Sequence, residues 1–209
     1  YDTLRHVQVL TPTRKGPVGV KNLNSELQKA VNPPQAGKNE RSFRDYTFRE
    51  GDRVMQIKNN YNLKWEKTCE PLKEGMGVFN GDTGIISGIS NEDQVLRVCF
   101  EDDREVEYDF GILDELEPAF ASTIHKSQGS EFPVVIIPVF HGPEVLMTRN
   151  LLYTAVTRAR HLLIMVGIEG VMRDMIDNAR EARRYSGLCE KLKKFPIFPQ
   201  EIESNADKL

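Results

Sequence analysis

An α/β chain interrupted by a small β-barrel is the fold class that three observations in this sequence predict. After Pro118, short apolar runs alternate with stretches of helical period, the pattern of a mostly parallel sheet covered by helices. Between Gly51 and Pro118 the chain instead shows several short β-type runs parted by turn-rich pieces. The opening residues return to the first pattern, a strand followed by a helix. The α/β domain is therefore expected over 1–50 and 118–195, the inserted barrel over 51–117, and a tail over 196–209.

Each element has a local reason. Val7, Val9 and Leu10 form a strand-like run that stops at Thr11-Pro12, and Pro and Gly keep the chain in a loop as far as Gly16-Pro17. Val20, Leu23, Leu27 and Val31 recur at helical spacing until Asn32-Pro33-Pro34 ends the helix. From Gln35 to Arg49 the sequence is polar and reads as a mobile connection. The barrel strands are Arg53–Ile57, Gly84–Ile89, Val95–Phe100 and Glu105–Phe110, with turns at Asn80-Gly81-Asp82 and at 90–93. In the third of these, Val95, Arg97 and Cys99 alternate with Leu96, Val98 and Phe100, so one face is buried. Ala119–Thr123 and Val134–Phe140 read as buried strands, Arg149–Arg160 as a helix, Leu162–Gly167 as a third strand and Gly170–Arg184 as a last helix.

Composition narrows the class. The 209 residues carry 28 Lys+Arg, 31 Asp+Glu and 39% hydrophobic side chains, an ordinary globular balance that excludes disorder and collagen. The longest apolar run, Val134–Phe140, is far below the roughly 20 residues of a bilayer span, and no leader is legible, so a soluble protein without a membrane partner is expected. Cys69, Cys99 and Cys189 lie far apart, which argues against a disulfide framework or a clustered zinc site and for a reducing cytoplasm. The first residue is Tyr1 rather than Met, so a fragment is expected. The net charge of -3 hides an asymmetry: residues 1–65 hold 12 basic and 6 acidic side chains, residues 66–118 hold 4 and 15. The basic third serves either a phosphate-bearing partner or plain solvation, and any nucleic-acid contact must be a local groove.

Two segments can carry chemistry. Thr123-Ile-His-Lys-Ser-Gln-Gly129-Ser-Glu131 joins two buried strands, with Thr123 as a helix N-cap and Gly129 as a left-handed stop. A helix start at the carboxyl end of a parallel strand suits an anion, and Thr123, His125, Lys126 and Ser127 would add donors there. A capped connector with a solvated polar face explains the same residues. Arg158 follows Leu151 by about two helical turns and shares the apolar stripe of Leu152 and Ala155, while Arg160 projects elsewhere. A guanidinium ending a buried stripe needs an anion, either a structural carboxylate or a ligand phosphate. Tyr61 and Trp65, set among Lys58, Asn59, Asn60 and Lys64, either stack on bases or anchor the barrel.

Other motifs fail. Gly37-Lys38 lacks the glycine and hydroxyl positions of a P-loop, and Ile112-Leu-Asp-Glu115 lacks the buried run that a magnesium-binding strand end requires. The four histidines have no ligand spacing, and no nucleophilic triad is legible.

Four blocks in one order are similar to a known family. They are Leu10-Thr-Pro-Thr-Arg-Lys-Gly-Pro-Val-Gly with Leu23-Asn-Ser-Glu-Leu-Gln; Gly51-Asp-Arg-Val-Met-Gln with Phe79-Asn-Gly-Asp-Thr-Gly; Ala121-Ser-Thr-Ile-His-Lys-Ser-Gln-Gly-Ser-Glu-Phe; and Leu152-Tyr-Thr-Ala-Val-Thr-Arg-Ala-Arg. Together they resemble the C-terminal part of RecD-like superfamily 1 DNA helicases, the exodeoxyribonuclease V alpha subunit family, over residues 9–167, with the first block like motif IV and the last two like motifs V and VI.

The resemblance implies the second RecA-like motor domain of an ATP-dependent enzyme, with an inserted barrel of the Src-homology-3 type. It implies that Arg158 is the catalytic arginine finger, that Arg14 or Lys15 adds a second basic contact to ATP, and that Gly129 and Glu131 border the nucleotide, Glu131 near the ribose. It further implies that Thr123, His125, Lys126 and Ser127 contact single-stranded DNA, with Asn59 and Tyr61 as barrel contacts. The P-loop and the acidic Mg2+-binding pair of such helicases are missing from these residues, so ATP with Mg2+ would be held mainly by an N-terminal motor domain of the same protein and no metal ligand is assigned here. This chain alone is expected to be inactive. Other exonuclease subunits are further implied partners, in DNA repair and recombination in the cytoplasm. Two alternatives remain at this point, a non-catalytic nucleic-acid-binding module and the helicase part of a conjugative relaxase.

Overall fold

The computed structural model describes residues 1–67, 73–179 and 187–194. The tail at 196–209, residues 180–184 of the expected last helix and Cys69 lie outside the described residues.

Strand β1 (Val7–Thr11) opens the α/β part and is buried from Gln8 onward. It is followed by α1 (Val20–Val31), which ends at Asn32 before the two prolines. The next segment departs from its polar reading. Residues 40–49 form a hairpin, β2 (Glu40–Phe43) paired antiparallel with β3 (Tyr46–Arg49), turning through Arg44 at φ 52°. Phe48 at its inner end is fully buried and Phe43 packs against the same core, and these two anchors hold a ribbon whose other side chains are mostly polar.

The inserted sheet comprises β4 (Arg53–Gln56), β5 (Asn60–Lys67), β6 (Glu74–Val78), β7 (Thr83–Ser90), β8 (Val95–Phe100), β9 (Arg104–Asp109) and, after a short 3-10 helix at Phe110–Glu115, β10 (Leu116–Pro118). Every pairing in it is antiparallel, in the order β10-β4-β7-β8-β9-β5-β6. The alternation expected of β8 is present, with Leu96, Val98 and Phe100 in a core that also takes Val54, Ile86, Val106 and Leu113. Strands β5 and β6 were not legible because Asn, Lys, Glu and Gly fill most of their positions.

The chain then returns to a parallel sheet. Strands β11 (Ala121–Thr123) and β12 (Phe132–Val139) flank β1, and β13 (Ala159–Gly167) pairs with β12, giving the order β11-β1-β12-β13. Helices α2 (Arg149–Val156) and α3 (Glu169–Asp177) cover one face through Leu151, Leu152, Ala155, Val171 and Met175, packed on Leu10, Val135, Ile137 and Val139. Gly167 closes the β12–β13 pair at such short range that a Cβ there would lie 1.9 Å from the Val139 carbonyl oxygen. Helix α2 stops at Val156 rather than Arg160, because parallel pairing with Phe132 captures Ala159 into β13. Arg158 therefore sits in the turn between helix and strand. Helix α4 (Leu188–Lys194) belongs to a second compact unit that begins at Arg180. Among the described residues no helix is long and apolar enough to cross a membrane.

A buried polar seam joins the two sheets. The Asp52 carboxylate accepts hydrogen bonds from Asn32 Nδ2 at 2.8 Å, Gln28 Nε2 at 2.5 Å and the Arg49 N–H at 2.8 Å. Burial pushes its pKa up, and these three donors pull it back. Beside it Arg53, 2% exposed, donates to the Val7 carbonyl at 3.0 Å and to Glu101 at 3.0 Å, tying β4 to the start of β1. Asp52→Asn turns an amide N–H toward a donor and strands it, so unfolding free energy should fall by about 1–3 kcal/mol. Glu101→Gln keeps an amide oxygen that can still accept from Arg53 and from the Thr83 hydroxyl at the exposed end of the pair, so it should cost less, about 1 kcal/mol. Urea midpoints for the two variants, with unchanged slope, check the difference.

Candidate functional site

The candidate residues divide between the two ends of the parallel sheet: Arg14, Lys15 and Thr123 follow or end β1 and β11, while Glu131 and Arg158 precede the amino ends of β12 and β13, and the 124–131 segment runs from one end to the other. After β11 the chain makes a run of tight turns from Ile124 to Gly129 rather than a helix of about one and a half turns. Thr123 still acts as the cap, its hydroxyl oxygen accepting the Lys126 N–H at 3.2 Å, and Gly129 still stops the run at φ +89°. The short run offers no helix-scale dipole, which corrects the expected anion-binding helix start.

His125 is exposed, and Lys126 is partly exposed. Ser127 is corrected as a DNA donor: its side chain is 1% exposed and its hydroxyl donates inward to the Ile124 carbonyl at 2.8 Å. It locks the turn instead.

Pairing of β12 with β13 brings the end of this turn to Arg158. The Phe132 N–H donates to the Arg158 carbonyl at 2.8 Å, and Arg158 Nη1 donates to the Ser130 carbonyl at 3.1 Å. Nε donates to the Thr154 carbonyl at 3.1 Å and Nη2 to the Thr157 hydroxyl at 3.1 Å. Three neutral oxygens thus hold the guanidinium, and among the described residues it pairs with no carboxylate. The structural-carboxylate alternative is not met. Arg160 is different, since its Nε lies 2.7 Å from Glu131 Oε2 in an exposed ion pair. Gly129, Glu131 and Arg158 therefore form one neighbourhood.

Arg14 and Lys15 separate. Arg14 Nη2 donates to Glu117 at 3.3 Å, whereas Lys15 is exposed along a groove of about 690 Å³ between α1 and the β2–β3 hairpin. Lys126 Nζ reaches the other oxygen of Glu117 at 3.2 Å, so Arg14 and Lys126 share that carboxylate. On the barrel, Tyr61 is exposed and meets Phe79 edge-on at 5.6 Å, while Asn59 Oδ1 accepts the Asn80 N–H at 2.9 Å. Trp65 is partly buried and sits under Arg104, which favours its anchor role. The cleft of about 350 Å³ where barrel and parallel sheet face each other is lined by Asp82, Glu101, Asp102, Arg104, Lys126 and Glu131 among others, whereas the contacts of Asn59 and Tyr61 described above are to Asn80 and Phe79 of the barrel. Sequence reasoning missed Glu117 and Phe79. Glu117 received no assignment, although its place just before Pro118 at the domain junction was a usable signal.

Residues 23–100 match the family model described as the ATP-dependent RecD-like DNA helicase SH3 domain, and residues 118–166 match the UvrD-like helicase C-terminal domain. The chain is 35% identical to the ATP-dependent RecD2 DNA helicase of Deinococcus radiodurans, over 90% of this chain and 23% of that protein. It is 30% identical to the RecBCD enzyme subunit RecD of Mycolicibacterium smegmatis, over 91% of this chain and 30% of that one. The chain thus spans less than a third of these curated relatives. A crystal structure of Pif1 helicase from Bacteroides in complex with ADP-AlF3 and ssDNA shares the fold with a TM-score of 0.53 at 22% identity, over 94% of this chain and 46% of that one.

The turn itself is open to test. A Cβ at Gly129 meets nothing within 4 Å, so Gly129→Ala should cost only backbone strain, about 1–2 kcal/mol, and Gly129→Asn less. Thermal unfolding of both variants checks the order.

Proposed function

Because this chain belongs to the RecD-like superfamily 1 helicases, we propose that it is the C-terminal motor part of an ATP-dependent DNA helicase that moves along single-stranded DNA and unwinds duplex. The observation that carries this reading is the guanidinium of Arg158, held in one orientation by the Thr154 and Ser130 carbonyls and the Thr157 hydroxyl with no carboxylate to neutralise it. A charge so placed suits the equatorial oxygens of a phosphoryl group in transfer, and a fixed fork there is worth several powers of ten in rate. The chemistry of the donor set fits a nucleotide phosphate. ATP with Mg2+ would supply the reacting phosphoryl group, gripped mainly by a P-loop that this sequence lacks. This chain's part is to orient Arg158 through the turn that also sets Glu131, and to lend Arg14 as a second cation.

Thr123, His125 and Lys126, on the turn after β11, would meet backbone phosphates of single-stranded DNA, with Asn59 and Tyr61 as a separate barrel contact. Supplying an arginine from one domain to ATP on another couples hydrolysis to domain closure. The N-terminal motor domain, other exonuclease subunits and a cytoplasmic site of action belong to the same proposal.

In the intact protein, Arg158→Ala should lower kcat about a thousandfold while single-stranded DNA affinity stays within twofold, and Arg158→Lys should fail equally because an ammonium lacks the planar fork. Steady-state ATPase assays with fluorescence anisotropy check this, and an unaltered kcat would return Arg158 to a structural role. Replacing Thr123 and His125 together by Ala should weaken single-stranded DNA alike for two unrelated oligonucleotides and reduce DNA-stimulated hydrolysis, with nucleotide binding in the absence of DNA preserved. Unchanged affinity in a stably folded variant would leave the turn a connector.

A further inference from the structure

The barrel ends on an acidic residue that the reaction does not require. Glu117 lies on β10, held by pairing with Met55 of β4 and by the Ala119 N–H donating to the Arg53 carbonyl at 2.8 Å, so its backbone is fixed. One of its carboxylate oxygens takes Arg14 at 3.3 Å and the other takes Lys126 at 3.2 Å. Glu117 and Lys126 are 23% and 27% exposed, while Arg14 is 71% exposed and free to swing. A narrow crevice lined by Arg14, Met55, Glu117, Ser122, Thr123 and Lys126 surrounds the three charges, and the buried Ser122 hydroxyl beside it has no hydrogen-bond partner among the described residues.

We propose that Glu117 is a positioning residue that makes the ATP-side cation Arg14 and the DNA-side cation Lys126 compete for one carboxylate, so that nucleotide and single-stranded DNA weaken each other at this crevice. The argument rests on the functional reading above. Two cations sharing one carboxylate each receive part of its field and repel one another. When an anion draws Arg14 away, Lys126 loses a like charge and keeps the whole carboxylate, so it is held harder and is less available to a DNA phosphate. Linkage makes the effect reciprocal: a DNA phosphate on Lys126 leaves Glu117 to Arg14 and raises the cost of turning Arg14 to nucleotide. The barrel's exit strand would thus set the sign of the coupling between the two sites without touching either ligand.

The test uses the intact protein, fluorescence anisotropy with a fluorescent oligothymidylate, and a non-hydrolysable ATP analogue. Glu117→Gln keeps the shape and removes the charge. Without nucleotide it should bind single-stranded DNA about three- to tenfold tighter with a steeper salt dependence, and the weakening caused by the analogue should shrink by a similar factor. The tightening should vanish when Lys126→Ala is present, since Glu117 acts through Lys126. Should Glu117→Gln fail to fold, Arg14→Ala gives an independent readout: it should weaken DNA binding without nucleotide about as much as the analogue weakens the wild type. Wild-type DNA affinity and nucleotide response in Glu117→Gln, tightening that survives Lys126→Ala, or unchanged DNA affinity in Arg14→Ala would each overturn the proposal. If the wild-type protein binds no single-stranded DNA, the functional reading falls as well; if it binds and the variants do not differ from it, only the role of Glu117 falls.

Discussion

One buried carboxylate fixes the strand through which the chain enters the inserted sheet and against which it leaves. Asp52 stands where α1, the β2–β3 hairpin and β4 meet, and it accepts from a side chain of α1, from the helix-ending Asn32 and from the backbone of β3. Taking a carboxylate out of water is costly unless its oxygens are filled, so the three donors must arrive together for the junction to close. Once they do, β4 is fixed in direction, and the adjacent Arg53 can reach the carbonyl of Val7 at the start of the parallel sheet. The inserted sheet leaves through β10, which pairs with the same β4. Entry and exit strands of the insertion thus pair with each other, and the chain passes from β10 into β11 and the turn that follows it.

This arrangement explains which parts of the fold were legible in the sequence. Strands β1, β7, β8 and β12 carry near-continuous or alternating apolar residues because both faces or one whole face are buried, and periodicity finds such strands. The hairpin at 40–49 and strands β5 and β6 have too few buried positions to show a period; they are strands because neighbours pair with them, a tertiary cause that composition does not record. The end of α2 was overrun for the same reason. The stripe of Leu151, Leu152 and Ala155 gives no sign that Ala159 will be taken by β12, and only that pairing moves Arg158 out of the helix.

The candidate site divides in the same way. That Thr123 caps and Gly129 stops the turn follows from local chemistry, and both could be read. That Ser127 points inward could not, because a serine between Lys and Gln looks polar in sequence whichever way it faces. Arg158 was read as a charge needing an anion. The structure gives it carbonyls and a hydroxyl, which orient a guanidinium without cancelling its charge. Arg160, two residues on, was left without an assignment, and it is the one with a carboxylate.

The charge asymmetry along the chain has a more local meaning than either a partner or solvation. Arg14, Arg53 and Lys58 from the basic opening third each meet an acid of the following segment, at Glu117, Glu101 and Asp114. Within that acidic segment Arg104 holds both Asp82 and Asp102. The blocks of opposite sign are therefore in part the two sides of one junction, drawn from either side of the point where the chain passes into the insertion. Pairing lowers the field that the acidic sheet presents toward the cleft, but it cannot remove an excess of acids over bases in that segment. A strand of nucleic acid approaching the turn after β11 would meet that residual field on one side and Lys126, itself held by the barrel's last acid, on the other. The insertion meets the parallel-sheet part through a few ion pairs across the seam, with Glu117 taking both Arg14 and Lys126.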